Sequence, residues 1–151
     1  MTGTGALGER LFATLSGGEK QRVIIAGALV QLEPDPSGMR SDAPQALLLD
    51  EPTASLDPRY QLEVAEILRS LNRDRQISIV LATHDLMFAA SVCKRLALVR
   101  EGEIIATGTT AEVLTPQNIE RLYGIEADVR YLDDAGHLAV IPLRTLSAPR
   151  R

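Results

Sequence analysis

Apolar and polar positions along the chain alternate between two periods. Ala46-Leu47-Leu48-Leu49-Asp50 and Ile77-Ser78-Ile79-Val80-Leu81-Ala82 are short, nearly continuous apolar runs. Such runs predict buried strands, the first covered on both faces. Leu96-Ala97-Leu98-Val99 predicts a third strand, turned by Glu101-Gly102 into Glu103-Ile104-Ile105-Ala106. Between these runs the apolar spacing lengthens to three and four residues. Val23, Ala26, Gly27 and Val30 share one face, with Ile24 beside it, of a helix expected over residues 18–32. Val64, Ile67, Leu68 and Leu71 form the stripe of a helix after Pro58, and Leu86, Ala89, Ala90 and Cys93 that of a helix starting near Asp85. Two short helices are expected over 110–114 and Pro116–Tyr123, then a hairpin over 128–142 turned at Asp134-Ala135-Gly136. Strands alternating with helices predict an α/β sheet.

Breaker residues set the remaining boundaries. Residues 1–13 begin small and Gly-rich and read as an irregular lead-in; the segment from Glu33 through Pro44 is rich in Pro, Gly and Asp and reads as a surface loop. Residues 147–151 are expected to fray. No internal repeat is visible. The length of 151 residues suits one domain with a reasonable core. A formal net charge of −4 argues against a nucleic-acid surface, which is normally basic. The single cysteine, Cys93, allows no internal disulfide and points to a reducing compartment. No apolar run reaches the roughly 18 residues of a membrane span, and no signal peptide is visible at Met1-Thr2-Gly3-Thr4-Gly5. A cytosolic protein is expected, one that can still dock on a membrane partner.

Chemistry concentrates in four short segments. Leu15-Ser16-Gly17-Gly18-Glu19-Lys20-Gln21-Arg22 opens the first helix. A helix start binds anions through its free N–H groups and dipole, and two glycines let the backbone approach a phosphate closely. Ser16 with Glu19 also fits a plain capping box, which alone would explain them. Asp50 and Glu51 end the first buried strand, where open α/β sheets bind ligands. Asp50 is placed to hold Mg²⁺ through a water, and Glu51 to act as general base on an attacking water. A pair of solvated acids at a strand end is the bland alternative. Ser55-Leu56-Asp57 precedes Pro58, so Asp57 is at least a helix cap. His84 follows the second strand, whereas His137 lies in the tail hairpin and reads as surface. Cys93 falls on an apolar stripe and reads as a core thiol.

Taken together, these segments resemble the signature motif, Walker B motif, D-loop and switch histidine of ABC-type ATPases, in that family's order, from about Leu15 to Gly108. The resemblance implies a partial P-loop NTPase core of mostly parallel strands and helices, with a C-terminal β-hairpin. It implies that Ser16, Gly17, Gly18 and Glu19 contact ATP held by a partner, that Ser55 and Asp57 line the dimer interface, and that Asp50 serves Mg²⁺. Glu51 and His84 would be catalytic, His84 through the γ-phosphate. The expected cofactors are ATP and Mg²⁺. The expected partners are a second ATPase subunit and a transmembrane permease, with no nucleic acid, which places the chain at the inner face of the cell membrane. The stretch from Leu114-Thr115-Pro116 to Val140-Ile141-Pro142 is similar to the tail of ATPases serving importers of iron–siderophore complexes, haem or cobalamin. Expected boundaries are a lead-in over 1–14, the ATPase part over 15–108, short helices and hairpin over 109–146, and a tail over 147–151.

Two departures qualify the resemblance. Lys20 stands where Gln or Arg is commoner, a mild change. More importantly, no P-loop of the form G-x-x-x-x-G-K-S/T occurs in the 151 residues. The expectation is a truncated chain that supplies a signature to a partner's ATP but lacks a cradle of its own. Its first strand would then lose neighbours, and an orphaned apolar strand edge invites aggregation. Two further readings stand beside this one. A non-catalytic module could complete or block a site on a full-length subunit, and an ATPase of DNA repair or translation carries similar motifs. The acidic balance and the importer-like tail disfavour the last.

Overall fold

A computed structural model describes residues 4–31, 45–54 and 56–146. The expected surface loop up to Pro44, residue Ser55 and the expected frayed tail lie outside the described residues. The chain divides into two compact units, Met1–His84 and Asp85–Arg151, so the division falls inside the expected 15–108 span.

In the first unit, single 3-10 turns at Gly5–Leu7 and Phe12–Thr14 lead into helix α1, Gly17–Val30. Strand β1, Ala46–Asp50, is followed by helix α2, Pro58–Arg75, and strand β2, Ser78–Ala82. β1 and β2 pair in parallel, with Leu48 opposite Val80 and Asp50 opposite Ala82. Asp57 caps α2 by accepting from the Tyr60 N–H at 3.2 Å, and Pro58 fills its first turn. α2 ends at Gln76, whose left-handed backbone (φ 56°) turns the chain into β2. The α2 stripe is buried at Val64, Leu68 and Leu71, joined by Ala65; Ile67 is half-buried.

Two expectations for this unit change. β1 and β2 are not covered on both faces: Leu47 is buried, but Leu48 is 75% and Val80 61% exposed. Strand side chains alternate between faces, and in this two-stranded sheet only one face has cover among the described residues. On α1 the buried position is Ile25, not the stripe through Val23 and Ala26; Gly27 and Val30 are exposed. Nearly every residue from Val23 to Val30 is apolar or small, so periodicity could not choose the face.

The second unit begins with helix α3, Leu86–Val92, capped by Asp85, which accepts from the Phe88 N–H at 2.9 Å. Phe88, Ala89 and Ala90 are buried, and Cys93 is half-buried just past the helix. Strands β3, Arg95–Arg100, and β4, Glu103–Thr109, pair antiparallel. Helices α4, Thr110–Val113, and α5, Pro116–Tyr123, follow. The hairpin is longer than expected, with β5 at Ile125–Leu132 and β6 at His137–Thr145. Ala90, Leu114, Ile119, Ala127 and Val140 form the core of this unit. The fold is α/β, with parallel pairing confined to β1 and β2 among the described residues; the other two pairs are antiparallel.

Candidate functional site

Hydrogen bonds gather the candidate residues into two groups. The first is built on the carboxyl ends of β1 and β2. Asp50, the last residue of β1, is exposed. Glu51 follows with a left-handed backbone (φ 44°), and its N–H donates to the Ala82 carbonyl at 2.9 Å, extending the strand pairing by one step. A non-glycine residue pays roughly 1–3 kcal/mol for such a conformation, which persists only where surrounding contacts impose it. Those contacts are at hand. The His84 N–H donates to Glu51 Oε1 at 3.0 Å, His84 Nδ1 lies 2.8 Å from the same oxygen, and the Thr83 hydroxyl donates to Oε2 at 3.3 Å. The His84 side-chain contact, its N–H and the Thr83 hydroxyl together hold the Glu51 carboxyl below the usual glutamate range. Glu51 is therefore ionised and offers an acceptor at the strand end. The His84 ring itself is largely exposed.

The second group surrounds the start of α1. The Ser16 hydroxyl accepts from the Glu19 N–H at 3.3 Å, and the Ser16 N–H donates to Glu19 Oε2 at 2.8 Å, completing the expected capping box. Arg10 adds a third contact, donating to Glu19 Oε1 at 2.7 Å and to the Thr14 carbonyl at 3.3 Å. The Ser16 N–H above all, then the Ser16 hydroxyl and Arg10, keep the Glu19 carboxyl below its ordinary range. Glu19 thus holds the helix start and takes up the Ser16 N–H, so the glycine backbone of Gly17 and Gly18 follows this cap at the N-terminus. Of the expected interface residues, Asp57 caps α2, and Ser55 lies outside the described residues.

Three contacts went unread in the sequence. Thr83 on Glu51 could have been suspected from its place at a strand end. Arg10 on Glu19 had no local signal, because the lead-in looked irregular. The Arg22 guanidinium, stacked 4.1 Å from the Tyr60 ring centroid, joins α1 to α2 across a distance in sequence that no periodicity reports. Elsewhere, burial pushes the Cys93 thiol up, as suits an unreactive side chain, and His137 is half-buried with Nδ1 near the Leu138 carbonyl.

Comparisons with known proteins bear on the family of the chain. Residues 4–90 match the family model "AAA domain, putative AbiEii toxin, Type IV TA system". The chain is 41% identical over 140 residues to the hemin import ATP-binding protein HmuV of Bordetella avium, spanning 92% of this chain and 52% of that protein. It is 44% identical over 140 residues to the HmuV of Escherichia coli O157:H7, with 91% and 52% covered. A solved structure described as "an inward-facing conformation of a putative metal-chelate type ABC transporter" superposes with a TM-score of 0.71 at 25% identity, covering 89% of this chain and 50% of that one. The chain spans about half the length of the curated relatives it matches, and it belongs to the ABC transporter ATP-binding proteins.

Proposed function

We propose that the chain works as part of the ATP-binding subunit of an ABC importer, with a haem-type cargo as its relatives' names suggest. It would act beside a second ATPase subunit and a permease, at the inner face of the membrane. No described helix is long and apolar enough to cross a membrane. The observation that carries the reading is the Glu51 carboxylate, held at the end of the parallel β1–β2 pair by His84 and Thr83.

The residues fit the expected cofactors in part. Among the described residues no group of three or more His, Cys, Asp or Glu could hold a metal. Mg²⁺ keeps several waters and takes few protein ligands, and the exposed Asp50 carboxylate at the end of β1 is a donor of the kind it takes. Asp50 would hold the ion through a water, and the ion with ATP would supply phosphoryl charge neutralisation. Gly17 and Gly18 would meet the phosphates of a partner's ATP with backbone N–H groups at the α1 start, and Ser16 with its hydroxyl. Glu51 would orient a water and accept its proton at a carboxylate oxygen. A carboxylate has about four lone-pair sites, so Glu51 can take that water beside its His84 and Thr83 contacts. His84 would turn its exposed ring toward the γ-phosphate.

The test is ATP turnover and binding by the purified 151-residue chain, alone and with an intact ATP-binding subunit. The chain alone, which carries no P-loop sequence, is expected neither to bind ATP tightly nor to hydrolyse it. It is expected to associate with the intact subunit only when ATP is present. Turnover by the chain alone, abolished by Glu51→Gln, would overturn the need for a partner's cradle. Absence of any ATP-dependent association would overturn the assignment of the α1 start to a partner's nucleotide.

A further inference from the structure

Arg22 and Tyr60 form a contact that the roles assigned above do not use. Arg22 lies one turn beyond Glu19 on α1, next to the buried face marked by Ile25. Its guanidinium carbon sits 4.1 Å from the Tyr60 ring centroid, well inside the range of a cation–π contact. Its Nε is buried with no hydrogen-bond partner among the described residues. The ring face therefore takes the place of an acceptor for this part of the cation. Tyr60 is also fixed from the other side of its backbone: its N–H donates to Asp57, the cap of α2, at 3.2 Å. Arg59 also approaches the Tyr60 ring, but at 5.9 Å and with its Nε on Glu63 at 3.3 Å. Arg22 is the closer cation.

We propose that Arg22 and Tyr60 are a positioning pair that ties the start of α1, Ser16 to Glu19, to the Asp57-capped start of α2. Neither residue touches nucleotide. The pair makes the two segments that would face a partner move as one piece, so the phosphate-facing turn keeps its register when Asp57 is engaged. The pairing arm of the test below rests on the function proposed above; the exchange arm does not.

The variants are Arg22→Gln, Tyr60→Leu, the double variant, and Tyr60→Phe, which keeps the ring face. In the first arm, ATP-dependent association of the full chain with an intact ATP-binding subunit is measured. Each disruptive single variant is expected to weaken association about fivefold, the scale of one well-placed cation–π contact. The double variant should weaken it no further, and Tyr60→Phe should restore it. Additive losses, wild-type association in the single variants, or failure of Tyr60→Phe would overturn the pair. In the second arm, amide exchange is followed in the chain alone. Tyr60→Leu is expected to speed exchange at Glu19 and Lys20, whose N–H groups bond Ser16, while amides of the β5–β6 hairpin keep their rates as a folding control. If the wild-type chain shows no ATP-dependent association, the proposed function fails and this second arm decides the pair. Unchanged exchange at Glu19 and Lys20 would then overturn it.

Discussion

His84 meets Glu51 Oε1 twice, through its backbone N–H at 3.0 Å and through Nδ1 at 2.8 Å. The backbone contact persists whatever the side chain, so it fixes the carboxylate. The ring contact is the adjustable one, because its strength follows the protonation of the imidazole. The carboxylate proposed to accept a proton thus rests against a histidine ring and a backbone N–H of the same residue.

The first prediction concerns that pair. The Glu51 carboxyl titrates below the usual glutamate range because His84, then Thr83, stabilise its ionised form. His84→Ala removes the ring contact and keeps the backbone N–H, and should raise the Glu51 titration part of the way back, as read by carboxyl carbon NMR. The sign for stability follows. A depressed folded-state value means that the contribution is present above the unfolded glutamate value and is lost as pH falls through the folded one. Thermal stability of the wild type should therefore fall more steeply over that acidic window than that of His84→Ala. Identical titration curves would sink the idea.

The α1 start supplies the second prediction. Ser16→Ala removes the acceptor of the Glu19 N–H, and helix caps of this kind contribute about 1 kcal/mol. Denaturant unfolding should show a loss of that order. Arg10→Gln should cost less, since exposed ion pairs contribute little, yet it should raise the Glu19 titration.

Asp57 gives a third test, because its cap role is separable from any interface role. Asp57→Ala should lower stability by about 1 kcal/mol, whereas Asp57→Asn, which still accepts from Tyr60 N–H, should nearly preserve it. A loss of ATP-dependent association in Asp57→Asn at full stability would then isolate the interface role.

Gly108 gives a fourth. A Cβ there would lie 2.8 Å from Glu112 Oε2, the oxygen that accepts from the Thr109 N–H and hydroxyl at the α4 cap. Gly108→Ala should displace that carboxylate and cost about 1 kcal/mol, the scale of a lost cap. In the same unit, Ile119 is fully buried in the core, and Ile119→Ala should cost about 2–5 kcal/mol. Both values can be read from urea unfolding, and a Gly108→Ala chain as stable as wild type would show that Glu112 moves freely.

Elements and caps were legible because their causes are local. Ser16 with Glu19, Asp57 with Pro58 and Asp85 before α3 each satisfy helix N–H groups within three residues, so the sequence alone located these helix starts. The apolar runs at β1 and β2 were legible for the same reason. Their burial was not. Leu48 and Val80 are as apolar as Leu47, and only what packs over each face of the sheet tells which face is covered. Ile25 was missed on α1 because its neighbours are apolar on every side.

By itself, then, the sequence determined the order of motifs, the helix starts and the chemical types at each site, all properties of residues a few positions apart. The tertiary structure decided the rest. It brought Glu51 under His84 and Thr83, laid Arg10 on Glu19, stacked Arg22 on Tyr60 and left Leu48 and Val80 uncovered. Each of these joins or separates residues distant in the chain, and periodicity carries no information about such distances until the strands pair and the helices pack.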